Sequence, residues 1–252
     1  RDQLAYYNCG GRMYNHSLAT GARDTLTSRL GQNDAKSKVA EVSGDVFLRN
    51  GRSRLRTRRL VYHSDTRTVD IVEPTSIRSG QDSIQTASGF CNTVSGKAQL
   101  HSRSLIVHRD STGAATTLEG DSIVYDRERR LSEAYMFASQ ERHPRPMVLT
   151  DTARHAVLIG GYGYYNDADR TAYATRYPLL KEYSRPDTIF LRADKIYLET
   201  HADTIPADSS LRQAEPAEYH VAKAFNRARF FRSDLQGVAD SITFCSKDSM
   251  LY

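Results

Sequence analysis

The sequence predicts an all-β protein whose strands form a rolled antiparallel sheet, and three observations carry that expectation. Helical periodicity is nearly absent along the 252 residues. Instead, short stretches rich in Val, Ile, Tyr, Phe and Thr alternate apolar with polar residues, broken every ~8–12 residues by Gly, Asn, Asp or Pro. Beneath the strands lies a degenerate unit whose irregular spacing argues against a strict β-helix and favours antiparallel strands joined by loops of varied length. Composition agrees: 39% hydrophobic residues suffice for a core but are lean for a globular enzyme of this size. No apolar run approaches the roughly 18–20 residues of a membrane-spanning helix.

Taken in order, the first clear strand is Gly44-Asp45-Val46-Phe47-Leu48, and Asn50-Gly51 after it is the best turn signal, because both residues tolerate the positive φ of a type I′ turn. Leu60-Val61-Tyr62 follows and ends at Ser64-Asp65-Thr66. The repeat emerges on aligning Leu55–Tyr62, Leu118–Tyr125, Leu191–Leu198 and Val238–Phe244. Each has a small residue, then Asp or Arg (Arg58, Asp121, Asp194, Asp240), then apolar residues two apart. Weaker copies begin at Asp24, Asp82 and Arg103. A short polar side chain that bonds its own backbone suits a bend at that point. Tyr125–Arg129 reads as a turn leading to a second strand, Leu131–Phe137. Glu218–Arg229 has some helical character through its alanines but is read as strand.

Two segments look like loops: Glu141–Pro146, whose prolines would interrupt a ladder, and Ala202–Ala217. The chain is read as one continuous unit over 1–252, or as two halves, 1–140 and 149–252, joined by a proline-containing loop at 141–148. It begins at Arg1 without a basic-then-apolar leader and reaches Tyr252 one strand into a repeat, so the expectation is a stretch of a longer protein.

Together with Gly44–Leu48, the repeat resembles the OstA/LptA family of lipopolysaccharide-transport proteins. The best units lie at 44–62, 118–126, 191–198 and 237–244. Gly160-Gly161-Tyr162-Gly163-Tyr164-Tyr165, followed by Tyr173 and Pro178, is similar to another strand–turn–strand of that group. Arg58 stands where Asp is usual. The resemblance implies an elongated antiparallel β-jelly roll open along one side. It implies a periplasmic, non-enzymatic module, or the periplasmic part of an outer-membrane-associated protein, that shelters lipopolysaccharide or a similar lipid in an apolar groove. Partners would be other envelope transport proteins, or a second copy joined through edge-strand pairing.

Inward positions follow from the alternation: Val46 with Leu48, Leu60 with Tyr62, Ile123 with Tyr125, Ile196 with Leu198, and Ile242 with Phe244. These form the lipid-groove set; equally, they are what packs a closed β core. Arginine supplies 28 of the 35 basic residues, and the net charge is +5. The densest charge lies in 49–59, where Arg52, Arg54, Arg56 and Arg58 would share one face about 6.5–7 Å apart. Such a rail suits phosphates or carboxylates; a solvated face that discourages edge pairing is the plain alternative. No nucleic-acid-binding motif accompanies it.

Eight histidines are scattered without metal-ligand spacing and are read as solvated or hydrogen-bonded surface residues. Cys9, Cys91 and Cys245 form neither a disulfide framework nor a zinc site and leave at most one bridge, of unspecified pairing. Neither a nucleophile motif nor a phosphate-cradling loop is present, so no catalytic residue and no cofactor is expected. Two rival functions remain. An enzyme acting on envelope polysaccharide needs a carboxylate pair about 5–10 Å apart in a cleft. A structural or adhesion module needs a filled core. The roll's cross-section separates them.

Overall fold

Alternation of side chains builds the walls of this structure, and slips in that alternation fold it. In the strand Ser53–His63, Leu55 and Thr57 are buried while Arg54 and Arg56 are exposed; Arg58 and Arg59 are then both exposed before Leu60 and Tyr62 turn inward again. A one-residue slip moves every later side chain to the other face, so the strand must bend to keep its apolar set inside. Its partner Val39–Asn50 bends at the same level, with a register shift between Ser43 and Val46. There Gly44 and Asp45 take φ of +76° and +49°. The bend recurs in Glu218–Arg232, where Asn226 and Arg227 have positive φ and the register shifts between Phe225 and Ala228.

The computed structural model describes residues 4–7, 11–16, 23–34, 36–137, 145–183, 187–202, 218–248 and 250–252. Among them are 25 strands and no helix, and every pairing is antiparallel. The pairings form two ladders. The first runs from Leu4–Tyr7 through Leu30–Asp34, Thr68–Ile71, Gly89–Asn92, Lys97–Leu100, Ser122–Asp126, Leu131–Tyr135, Tyr162–Asn166, Thr171–Thr175 and Lys195–Ala202 to Met250–Leu251. The second runs from Gly11–His16 through Arg23–Ser28, Thr75–Ser79, Asp82–Thr86, Ser104–Arg109, Ala115–Gly120, Met147–Asp151, Ala156–Gly160 and Leu179–Glu182 to Ile189–Arg192. Four long strands, Val39–Asn50, Ser53–His63, Glu218–Arg232 and Leu235–Cys245, contribute one half to each ladder.

Among the described residues, the crossings between ladders lie on one side, which is the closed edge of the roll. The repeat's polar position marks several of them. Asp121 lies between Gly120 and Ser122, where its carboxylate accepts the Phe137 N–H at 3.1 Å and the Arg103 guanidinium at 3.4 Å. Asp194 occupies a later corner, between Arg192 and Lys195, and receives two hydrogen bonds from Arg227. Arg58 and Arg103 sit at corners too, whereas Asp24 and Asp82, in the weaker copies, lie towards the hairpin turns.

On the opposite side, no backbone pairing among the described residues joins the two ladders. The expected fold, an elongated antiparallel jelly roll open along one side, is the one observed. Fifteen strand segments in the first ladder give a length on the order of 65 Å. The ladders pair on across 138–144: Ala115–Gly120 with Met147–Asp151, and Leu131–Tyr135 with Tyr162–Asn166.

Local readings fare unevenly. Glu218–Arg232 is strand, as expected. The first turn is displaced by one residue: Asn50 pairs with Ser53, the turn is Gly51-Arg52, and only Gly51 has positive φ. The loops read at 141–146 and 202–217 fall almost wholly outside the described residues.

Candidate functional site

Inward residues of the two ladders face each other across a slot that follows the open edge. Val46 and Leu48 stand on the second ladder; Leu60, Tyr62, Ile123, Tyr125, Ile196, Leu198, Ile242 and Phe244 stand on the first. Eight of the ten are buried, and Leu198 and Phe244 are partly buried against the same core. They divide by depth. Val46, Leu60, Ile123, Ile196 and Ile242 stand beside the corners, Tyr62 is fully buried one place further out, and Leu48, Tyr125, Leu198 and Phe244 line open stretches of the slot.

There are two such stretches. The first, about 600 Å³ counted to its mouth, is walled by Leu48, Leu55, Ile77 and Ile84 on one ladder and by Cys91, Ala98 and Tyr125 on the other. Burial, assisted by the Asp70 charge, pushes the Cys91 thiol up to about 12, so it behaves there as an apolar group. The second stretch is larger, about 1000 Å³, and is walled by Leu149, Leu158 and Leu180 opposite Ala172, Leu198, Ala222 and Phe244. Its rim is charged, carrying Arg154, Arg170, Glu199 and His220. Lys223 holds the Glu199 carboxyl below its usual range through hydrogen bonds of 2.8 and 2.9 Å.

Side chains lace the mouth at three places. Near one end, the Asn50 amide donates to the Thr93 carbonyl at 3.0 Å and the Arg127 guanidinium to Ser53 at 3.4 Å. In the middle, the Tyr125 hydroxyl donates across the slot to Asp82 at 2.6 Å. His108 lies 2.5 Å from Asp82 through Nδ1 and, across the mouth, 3.0 Å from Asp167 through Nε2. Arg130 pairs with the other oxygen of Asp167. Burial first, then the bond to Asp82, pushes the Tyr125 phenol up. The third lacing is Arg154, which donates to His220 Nδ1 at 3.2 Å while paired with Asp151. Burial, then the nearby Arg154 charge, pushes the His220 imidazole down.

Of the two readings of the histidines, the hydrogen-bonded one applies to His108. His108 is a partly buried bridge between two carboxylates on facing walls, not a solvated surface residue, and no local spacing announces it because its partners are 26 and 59 residues away. Asp82 and Asp167 are held by the same imidazole, and both line a hollow of about 460 Å³ between the walls.

The arginine rail is likewise rearranged. Arg54 and Arg56 share the outer face of the second ladder, but Arg52 belongs to the turn and Arg58 to the closed corner, 3.8 Å from Glu73. Cys91 and Cys245 are free thiols; Cys9 lies outside the described residues.

No protein-family model matches this chain, and no curated protein matches it. Among solved structures it is similar to LptH, the LptA-homologous periplasmic component of the conserved lipopolysaccharide transport device from Pseudomonas aeruginosa. The identity is 10%, the match covers 77% of this chain and 91% of that one, and the TM-score is 0.30. A likeness that distant assigns nothing to this chain beyond what its own geometry carries.

Proposed function

We propose that this chain is a non-enzymatic module of the cell envelope that shelters the acyl chains of lipopolysaccharide or a similar lipid and hands them along the periplasm. The observation that carries the reading is the second slot stretch: an apolar trough between two sheet walls, open at a charged rim. Acyl chains would lie against Leu149, Leu158, Leu198, Ala222 and Phe244, each sheltered CH₂ contributing about 0.8 kcal/mol. Headgroup charges would meet Arg154 and Arg170 at the rim, where guanidinium suits phosphate and carboxylate alike. The first stretch, with Leu48 and Tyr125, would continue the path, and the six packed residues of the inward set would hold the walls apart.

An apolar trough without directional contacts binds neighbouring registers about equally, so a lipid in it can slide. At the roll's end, Leu235–Ala239 pairs on one side only among the described residues, and Val238 is exposed. That edge would recruit a neighbouring envelope protein or a second copy by strand addition.

A photoreactive residue at Leu198 or Phe244, in cells bearing lipopolysaccharide, tests the assignment. Adducts with the lipid are expected there and not at the outward-facing Gln85. Failure to form adducts at any slot-lining position would refute the proposal.

A further inference from the structure

Several arginines among the described residues face a carboxylate: Arg29, Arg59, Arg103, Arg130, Arg154 and Arg170 each form an ion pair. One group does not. On the outer face of the second ladder, Arg49 is in register with Arg54, and Arg54 with Arg78, so three arginines stand in one row across adjacent strands. Directly opposed Cβ atoms in such a row lie about 4.5–5.5 Å apart. Arg56 stands in the next row between Phe47 and Ser76, its guanidinium carbon 5.6 Å from the centre of the Phe47 ring. All four arginines are exposed, and none has an acidic partner among the described residues.

Like charges directly opposite one another in a sheet are destabilising. Folding nonetheless brings Arg49, Arg54 and Arg78 together from three strands. Arg54, Arg56, Ser76 and Arg78 enclose a surface hollow of about 500 Å³. We propose that this hollow is a binding site for phosphate, taking a ligand that carries a phosphate monoester or a diphosphate. Guanidinium forks grip phosphate oxygens in pairs, and the Ser76 hydroxyl adds a donor at the floor. A single carboxylate would leave most of the positive charge uncompensated, whereas a diphosphate answers the row. The row spans only three strands, on the order of 10 Å, and beyond it stand the uncharged Ser83 and Gln85. That is too short a track for a nucleic-acid backbone. Being on the other face of the sheet, the site stands or falls independently of the slot.

Inorganic pyrophosphate in a low-salt titration tests the site, with a parallel flotation assay on phosphatidylcholine vesicles with and without phosphatidic acid. Pyrophosphate is expected to bind and raise the melting temperature. Arg54→Gln and Arg78→Gln should each weaken binding by about tenfold or more, whereas Arg129→Gln, the same charge change in an exposed turn of the other ladder, should alter it by less than about twofold. Without ligand, Arg54→Gln and Arg78→Gln should melt at or above the parent temperature, because each relieves repulsion. Binding to phosphatidic acid vesicles alone, with the same dependence on Arg54 and Arg78, would identify a lipid headgroup as the phosphate's source. Binding of neither probe overturns the proposal, as does an equal loss in the Arg129→Gln control.

Discussion

The two slot stretches lie in the same roll, between the same two ladders, yet one is narrow and the other wide. In the narrow half, the inward row of the first ladder beside the corners holds Leu60, Ile71, Leu100 and Ile123, all essentially without exposure, with Gly89 among them. In the wide half, the same row holds Ala134, Gly163, Ala174 and Ala224 beside Ile196 and Ile242. Backbone geometry is alike, so the space left between the walls follows from side-chain volume. Period-2 alternation tells which way a residue points; the size of what points inward decides whether a roll is filled or open.

The most damaging way to blur that difference is to hollow out the narrow half. Leu100→Ala is expected to cost about 2–5 kcal/mol in urea unfolding, since a fully buried side chain would leave a void its neighbours cannot close. Next comes Gly163, where an added Cβ would stand 2.4 Å from both the Met147 methyl and the Tyr173 carbonyl oxygen. Gly163→Ala should cost about 1–3 kcal/mol by the same measurement, with Met147 driven into the trough.

The clasp between the stretches offers a smaller lever. Asp82→Asn weakens the links to both His108 and Tyr125, and a loss of about 1–2 kcal/mol is expected. Combined with His108→Gln, the losses should be less than additive in a double-mutant cycle; full additivity would show that the two residues do not act together.

Filling the wide half should do the reverse of hollowing the narrow one. Ala222→Leu is expected to shift stability by less than about 1 kcal/mol, because open space receives the added methyl groups. It should nonetheless abolish lipid adducts from a photoreactive group at Leu198; undiminished adducts would place the lipid elsewhere.

The smallest effect is one of pH. Burial holds the His220 pKa below its ordinary value, so the folded state binds its proton less readily than the unfolded chain does. Stability from this residue is therefore complete above the unfolded pKa of about 6.5 and falls as pH drops from there through the folded value. His220→Gln should flatten that part of the pH–stability curve, and an NMR titration should show the depressed pKa directly.

The strands, their inward residues and the corners at Asp121 and Asp194 are legible in the sequence, because alternation and the short polar side chain at a bend are local chemistry. The turn was misplaced by one residue since Asn50-Gly51 and Gly51-Arg52 both satisfy a glycine-containing turn, and cross-strand register chooses between them. Weaker repeat copies misled for a related reason: Asp suits a hairpin end as well as a corner, so Asp24 and Asp82 match the pattern without marking a crossing.

Sequence alone determined that this chain is a rolled antiparallel sheet with one apolar face, for alternation and turn chemistry act over a few residues. Tertiary structure decided which inward residues line open space, how His108 came to bridge Asp82 and Asp167, and which arginines stand together. Arg54 and Arg56 are neighbours by sequence, but Arg49 and Arg78 join them only through strand register. The physical reason is common to all three: a slot, a bridge and a charge row are relations between strands far apart in the chain, fixed by pairing and side-chain volume rather than by local pattern.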